Sequence, residues 1–124
     1  MSLRISTIAL TFLLLLASLA GASAERRVAL VLGNANYASL PVLKNAVGDG
    51  EAVAGKLKSL GFEVVSGFDQ TKAETQATMA HFARVVRGAD LALFFYAGHG
   101  VQVSGRNYLL PVDAILEDET SLDF

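Results

Sequence analysis

Three short apolar runs, separated by stretches of helical periodicity, restrict this chain to an alternating α/β arrangement. Val28-Ala29-Leu30-Val31-Leu32 is continuously apolar and stops at Gly33, as a strand covered on both faces should. Phe62-Glu63-Val64-Val65 reads as a short second strand and Leu91 to Tyr96 as the third. Between the first two, apolar or small residues recur at Leu43, Ala46, Val47, Gly50, Val53, Ala54, Leu57 and Leu60, a helical stripe that Gly61 closes. Between the second and third, Thr71 and Glu74 form a capping box, and Met79, Phe82, Ala83 and Val86 carry the next stripe up to Gly88. Beyond the third strand, Val101-Gln102-Val103 and Tyr108-Leu109-Leu110 flank Ser104-Gly105-Arg106-Asn107 as the arms of a hairpin, and Pro111 ends the second arm. The order βαβαβ followed by a hairpin predicts a parallel sheet with right-handed crossovers. No internal repeat interrupts it.

The third strand empties into Ala97-Gly98-His99-Gly100. Open α/β sheets gather their ligands and reacting groups beyond the carboxyl ends of the strands, which is where His99 stands. Gly98 and Gly100 leave room around it for a substrate backbone. Taken alone, the segment fits a catalytic histidine and a loop histidine between two turn glycines equally well. The other histidine, His81, falls inside the second helix beside Phe82 and reads as structural.

Fifty-two per cent of the 124 residues are hydrophobic, more than a soluble domain of this size carries, and the excess lies at the N-terminus. Arg4, the apolar run Ile8 to Ala20 and the triplet Ala22-Ser23-Ala24 follow the pattern of a secretory signal peptide cleaved after Ala24. The run is shorter than the roughly 20 residues a spanning helix needs. Residues 1–24 are therefore expected to be an export leader and 25–124 the exported domain, periplasmic or secreted and free of the membrane once cleaved. The remainder is mildly acidic, its basic residues scattered, which argues against a nucleic-acid partner. Asp113, Glu117, Asp118, Glu119 and Asp123 gather near the end as a solvated face or linker. With no cysteine and two unpaired histidines there is no disulfide, no thiolate metal site and no zinc pattern.

Several blocks together resemble the caspase-like cysteine peptidases, the group of caspases, paracaspases and metacaspases, and especially their bacterial members. They are Ala29-Leu30-Val31-Leu32-Gly33-Asn34-Ala35-Asn36-Tyr37, then Leu40-Pro41-Val42-Leu43-Lys44-Asn45 leading to Asp49, then Leu60-Gly61-Phe62-Glu63-Val64. Phe94-Phe95-Tyr96-Ala97-Gly98-His99-Gly100 and Gly105-Arg106-Asn107-Tyr108-Leu109-Leu110-Pro111-Val112-Asp113 are the most specific. The resemblance implies a three-layer α/β/α sandwich around a mostly parallel sheet of strand order 2-1-3-4. It implies that His99 is the general base and acid of a Cys-His dyad, and that the backbone N–H of Gly100 is an oxyanion-hole donor. It further implies that Asp49 lies in the S1 pocket of a peptide or protein substrate and selects Arg or Lys at P1; an exposed helix aspartate is the plain alternative. No cofactor is implied, and the sequence is silent on calcium, which matters for some metacaspases.

Two departures accompany the match. Gly48 and Gly50 flank Asp49, where the family usually has Asn and Ala. The nucleophile is missing as well: in caspases it lies about 50 residues after the histidine, and neither Ser104 nor Ser121 has a motif to replace it. The chain is accordingly expected to be the N-terminal part of a caspase-like domain, inactive by itself, either a piece of a longer protein or a truncated product. Its third strand would then form an open apolar edge needing the missing C-terminal part. Two further classes stay open: a catalytically dead binding or scaffold module of the same fold, and a nucleotide-binding α/β domain. The latter requires G-x-G-x-x-G opening into a helix, whereas Asn-Ala-Asn-Tyr follows Gly33.

Overall fold

A computed structural model describes residues 24–116 of the chain. All of the expected leader except Ala24, and the acidic tail from Glu117 onward with Ser121, lie outside the described residues. The described elements run β1 (Arg27–Gly33), α1 (Ala46–Ser59), β2 (Glu63–Phe68), α2 (Lys72–Val85), β3 (Leu91–Ala97), β4 (Gly100–Val103) and β5 (Arg106–Leu109). β1 is central and pairs in parallel with both neighbours, Val28 opposite Glu63 through Gly33 opposite Phe68 on one side, and Arg27 opposite Leu91 through Gly33 opposite Ala97 on the other. The order is β2-β1-β3, with β3 at the edge, as the family resemblance implied. β4 and β5 form a separate antiparallel pair.

The two crossovers leave in opposite directions along the sheet, and right-handed connections then put their helices on opposite faces. The α/β/α layering follows. On one face Ala29 and Val31 of β1 bury against Ala54 and Leu57 of α1, with Val64, Phe68, Leu93 and Phe95 packed around them. The alternate residues Val28, Leu30 and Leu32 fill the other face and are no less buried. Such two-sided burial explains why β1 is continuously apolar from Val28 to Leu32.

α1 approaches the end of β1 unusually closely. A Cβ on Gly33 would sit 2.9 Å from the Ala46 carbonyl oxygen, and one on Gly50 would sit 2.7 Å from the Phe68 ring. Gly50, a blemish in a helical sequence, is thus the contact that lets α1 start over the carboxyl end of the sheet. Leu43 lies outside the helix: its N–H donates to the Ala35 carbonyl at 3.0 Å and closes the loop after β1. At the other end Gly61 takes φ +84° one residue beyond the C-cap Leu60, the left-handed conformation that favours glycine.

α2 begins with the expected capping box. The Thr71 hydroxyl accepts the Glu74 N–H, and the Glu74 carboxylate accepts the Thr71 N–H at 2.9 Å, which holds its carboxyl below the usual range. Its inner face differs from the expected stripe: Thr75, Thr78, Phe82 and Val85 are half-buried, while Met79 and Ala83 are exposed. The apolar stripe straddles the line of contact, so that one side meets the sheet and the other lines an open groove. That groove, about 370 Å³, lies between Lys72, Thr75, Gln76 and Met79 of α2 and Asn107, Tyr108 and Leu109 of the hairpin, with Leu32 also lining it. Phe94 on the edge strand is likewise half-exposed.

The hairpin turn is tighter than expected. Ser104 and Gly105 alone make it, with φ +49° and +79°, and Arg106 already pairs with Val103. Positive φ at both central residues is the two-residue turn whose twist matches the strands. β2 also extends past Val65 to Phe68, because Ser66 and Gly67 continue the ladder opposite Val31 and Leu32. Among the described residues no helix is long and apolar enough to cross a membrane.

Candidate active site

Everything that shapes the His99 turn converges at the carboxyl end of the sheet. Asn34, directly after β1, is buried and fully used: its N–H donates to Ala97 at 2.8 Å, its Nδ2–H to the Leu110 carbonyl at 3.1 Å, and its Oδ1 accepts the Gln70 N–H at 3.1 Å. One residue thereby joins the ends of β1 and β3 through its backbone, and the β2–α2 loop and the chain leaving the hairpin through its side chain. A second core of Tyr37 and Leu110, with Leu40, Leu43, Val101, Val103 and Tyr108 around it, forms the floor beneath.

The loop that follows is held by a carboxylate. Asp69 Oδ1 accepts the N–H groups of Ala35 at 2.7 Å and Asn36 at 2.9 Å, and Oδ2 accepts the Asn36 amide. Desolvation pushes the Asp69 carboxyl up, but these three bonds together outweigh it and hold the group below its ordinary range. Asp69 itself adopts φ +49°, a conformation Asp tolerates better than most residues. With the loop fixed, the Pro41 carbonyl faces the His99 ring and accepts its Nε2–H at 2.7 Å. A carbonyl can only accept, so Nε2 carries a proton, and Nδ1 is the nitrogen left to bear the lone pair of a neutral imidazole.

Two phenols hold the His99 backbone. Its N–H donates to the Tyr37 hydroxyl at 2.8 Å, and its carbonyl accepts the Tyr96 hydroxyl at 2.6 Å and the Leu110 N–H at 3.0 Å. The Tyr37 ring also meets the imidazole edge to face, centroids 4.7 Å apart at 61°. Burial first, and then the neighbouring Tyr37 hydroxyl, push the Tyr96 phenol up, so it stays a proton donor. Gly98 is explained by the same cluster: a Cβ there would lie 2.7 Å from the Tyr37 hydroxyl and closer still to that of Tyr96.

A family model described as the caspase domain matches residues 26–122. The chain belongs to the caspase-domain family. Over 91 residues this caspase domain is 36% identical to human mucosa-associated lymphoid tissue lymphoma translocation protein 1 and 35% identical to the mouse homolog. The alignments cover 73% of this chain and 11% of each relative, so the chain spans a small part of the curated proteins it matches. Membership relates it to the cysteine peptidase family.

Within the caspase domain the three residues singled out from sequence share one end of the sheet. His99 follows β3, Gly100 opens β4 and is exposed, and Asp49 is exposed in the first turn of α1. The Asp49 carboxylate takes no hydrogen bond or ion pair among the described residues. A negative charge in the first helical turn is favourable in its own right. His81 is exposed on α2. Among the described residues no group of three His, Cys, Asp or Glu converges to hold a metal ion. Sequence reasoning passed over Asn34, Asp69 and the roles of Tyr37 and Tyr96. The available signal was chemical: a tyrosine ending an apolar strand has a hydroxyl that must find a partner.

Proposed function

We propose that this chain carries the histidine half of a cysteine endopeptidase centre, with His99 as general base and acid. The observation that supports it is the bond from Nε2–H to the Pro41 carbonyl, which leaves Nδ1 as the basic nitrogen of a ring fixed in one orientation. A cysteine thiol brought to Nδ1 gives up its proton, and the thiolate attacks the scissile carbonyl. The imidazolium then returns that proton to the departing amine, leaving a thioester that water hydrolyses. The Gly100 N–H serves the developing oxyanion, where the lack of a side chain admits the substrate. Asp49, exposed and without a counter-charge among the described residues, suits an Arg or Lys side chain at P1.

No cysteine occurs in the 124 residues, so the nucleophile comes from chain outside them and this segment alone hydrolyses nothing. Export through the leader belongs to the same reading. The missing thiol also favours a second reading, a caspase-like module that binds peptides without cutting them. Expressing the whole reading frame of the source gene and assaying Arg, Lys and Asp fluorogenic peptides separates the two. Turnover after Arg or Lys that His99→Ala abolishes supports the peptidase. Turnover that survives His99→Ala sinks the dyad, and cleavage after Asp alone removes Asp49 from the pocket.

A further inference from the structure

The two phenols under the His99 turn come from different elements, Tyr37 from the loop after β1 and Tyr96 from β3, and proton counting fixes what each does. A phenol has one proton to give. Tyr96 gives its proton to the His99 carbonyl at 2.6 Å, much the shortest of its contacts, the Leu110 carbonyl lying at 3.1 Å and the Tyr37 hydroxyl at 3.3 Å. Tyr37 gives its proton to the Leu110 carbonyl at 3.1 Å, and its oxygen is then free to accept the His99 N–H at 2.8 Å. Asn34 fills the remaining lone pair of the Leu110 carbonyl. Each proton has one acceptor, and the His99 peptide groups are bound on both sides.

Tyr37 does more than its partner. Its ring lies edge to face against the imidazole, and it belongs to the same loop as Pro41, whose carbonyl accepts Nε2–H. One residue therefore touches the backbone and the ring of His99 and sits in the segment that supplies the ring's acceptor. We propose that Tyr37 is the positioning residue of His99, setting its backbone, ring plane and tautomer so that Nδ1 stays the unprotonated nitrogen. This rests on the reading of His99 as the base, but it can be tested without turnover.

In the full chain, nitrogen-15 NMR of the His99 ring should show one tautomer, Nε2–H, with that proton protected from exchange with water. Tyr37→Phe keeps the ring and deletes the hydroxyl. It should speed Nε2–H exchange about tenfold, the worth of one hydrogen bond, and mix the tautomers, while amide signals distant from the turn stay in place. Tyr96→Phe leaves the His99 N–H bonded and should change the ring signals less. An unprotected Nε2–H in the unaltered chain, or Tyr37→Phe ring signals identical to the parent's, overturns the assignment. The first of these needs no variant to fold. Failure of the peptidase reading shows separately, as turnover that survives His99→Ala in the longer protein.

Discussion

Replacing Asp69 with alanine should cost the fold about 3 kcal/mol and loosen the His99 site, although Asp69 does not touch the histidine. The magnitude follows from what the carboxylate holds. Ala35 is buried, so its N–H would be left without a partner, at about 1–3 kcal/mol. Asn36 is exposed and water replaces most of its two bonds, at about 0.5 kcal/mol. Alanine at φ +49° adds roughly 1 kcal/mol of backbone strain that Asp and Asn largely escape. Urea unfolding at pH 7 should therefore rank Asp69→Asn above Asp69→Gly, and Asp69→Ala last. The pH dependence has a definite sign. Because the folded pKa lies below the ordinary value of 3.8, the carboxylate stabilises fully above pH 3.8, and that stabilisation disappears as pH falls through the folded pKa. In Asp69→Asn this part of the acid sensitivity should be gone. A loss under about 1 kcal/mol for Asp69→Ala, or an Asp69→Asn stability profile below pH 5 that parallels the parent's, would refute the reasoning.

Two further substitutions test the close contacts. Gly98→Ala should cost at least about 2 kcal/mol in a thermal or urea melt, because its methyl group meets both hydroxyls and the turn must move; a loss of half that would mean the cluster yields easily. Gly48→Ala should stabilise by about 0.5–1 kcal/mol, since nothing lies within 4 Å of the added carbon, whereas Gly50→Ala should forfeit the same propensity gain against the Phe68 ring. Equal gains at both positions would show that the approach of α1 to β1 is not set by glycine.

The sheet was legible because its signals are local. β1 is apolar from Val28 to Leu32 since both faces are covered, and Gly61, Gly88 and the Thr71–Glu74 box each end or start an element by rules that need no tertiary contact. The inward face of α2 was not legible. Met79 and Ala83 continue the apolar period but point away from the sheet, and only the placement of the hairpin decides that a groove lies there. His99 stood out because one residue type at a strand end carries chemistry by itself. Asp69 bonds Ala35 and Asn36 from 34 and 33 residues away and Tyr37 bonds His99 from 62, and no periodicity encodes a hydrogen bond across such a separation.

The placement of these supports bears on how such a site works. Every hydrogen bond to His99 described above comes from Tyr37, Pro41, Tyr96 or Leu110, all within the span from β1 to the hairpin. The imidazole is therefore oriented by residues between β1 and the end of the hairpin. A preorganised base avoids reorganisation at the moment of proton transfer. Val42 apart, much of the exposed apolar surface lies away from this turn, on Phe94 and Leu91 of the edge strand and on Met79 and Leu109 along the groove. Covering that surface can change the stability of the domain without moving the imidazole. The hydrogen bonds that orient the His99 imidazole and the sheet contacts that hold the fold thus rest largely on different residues, so a substitution such as Tyr37→Phe should disturb the first while leaving the second intact.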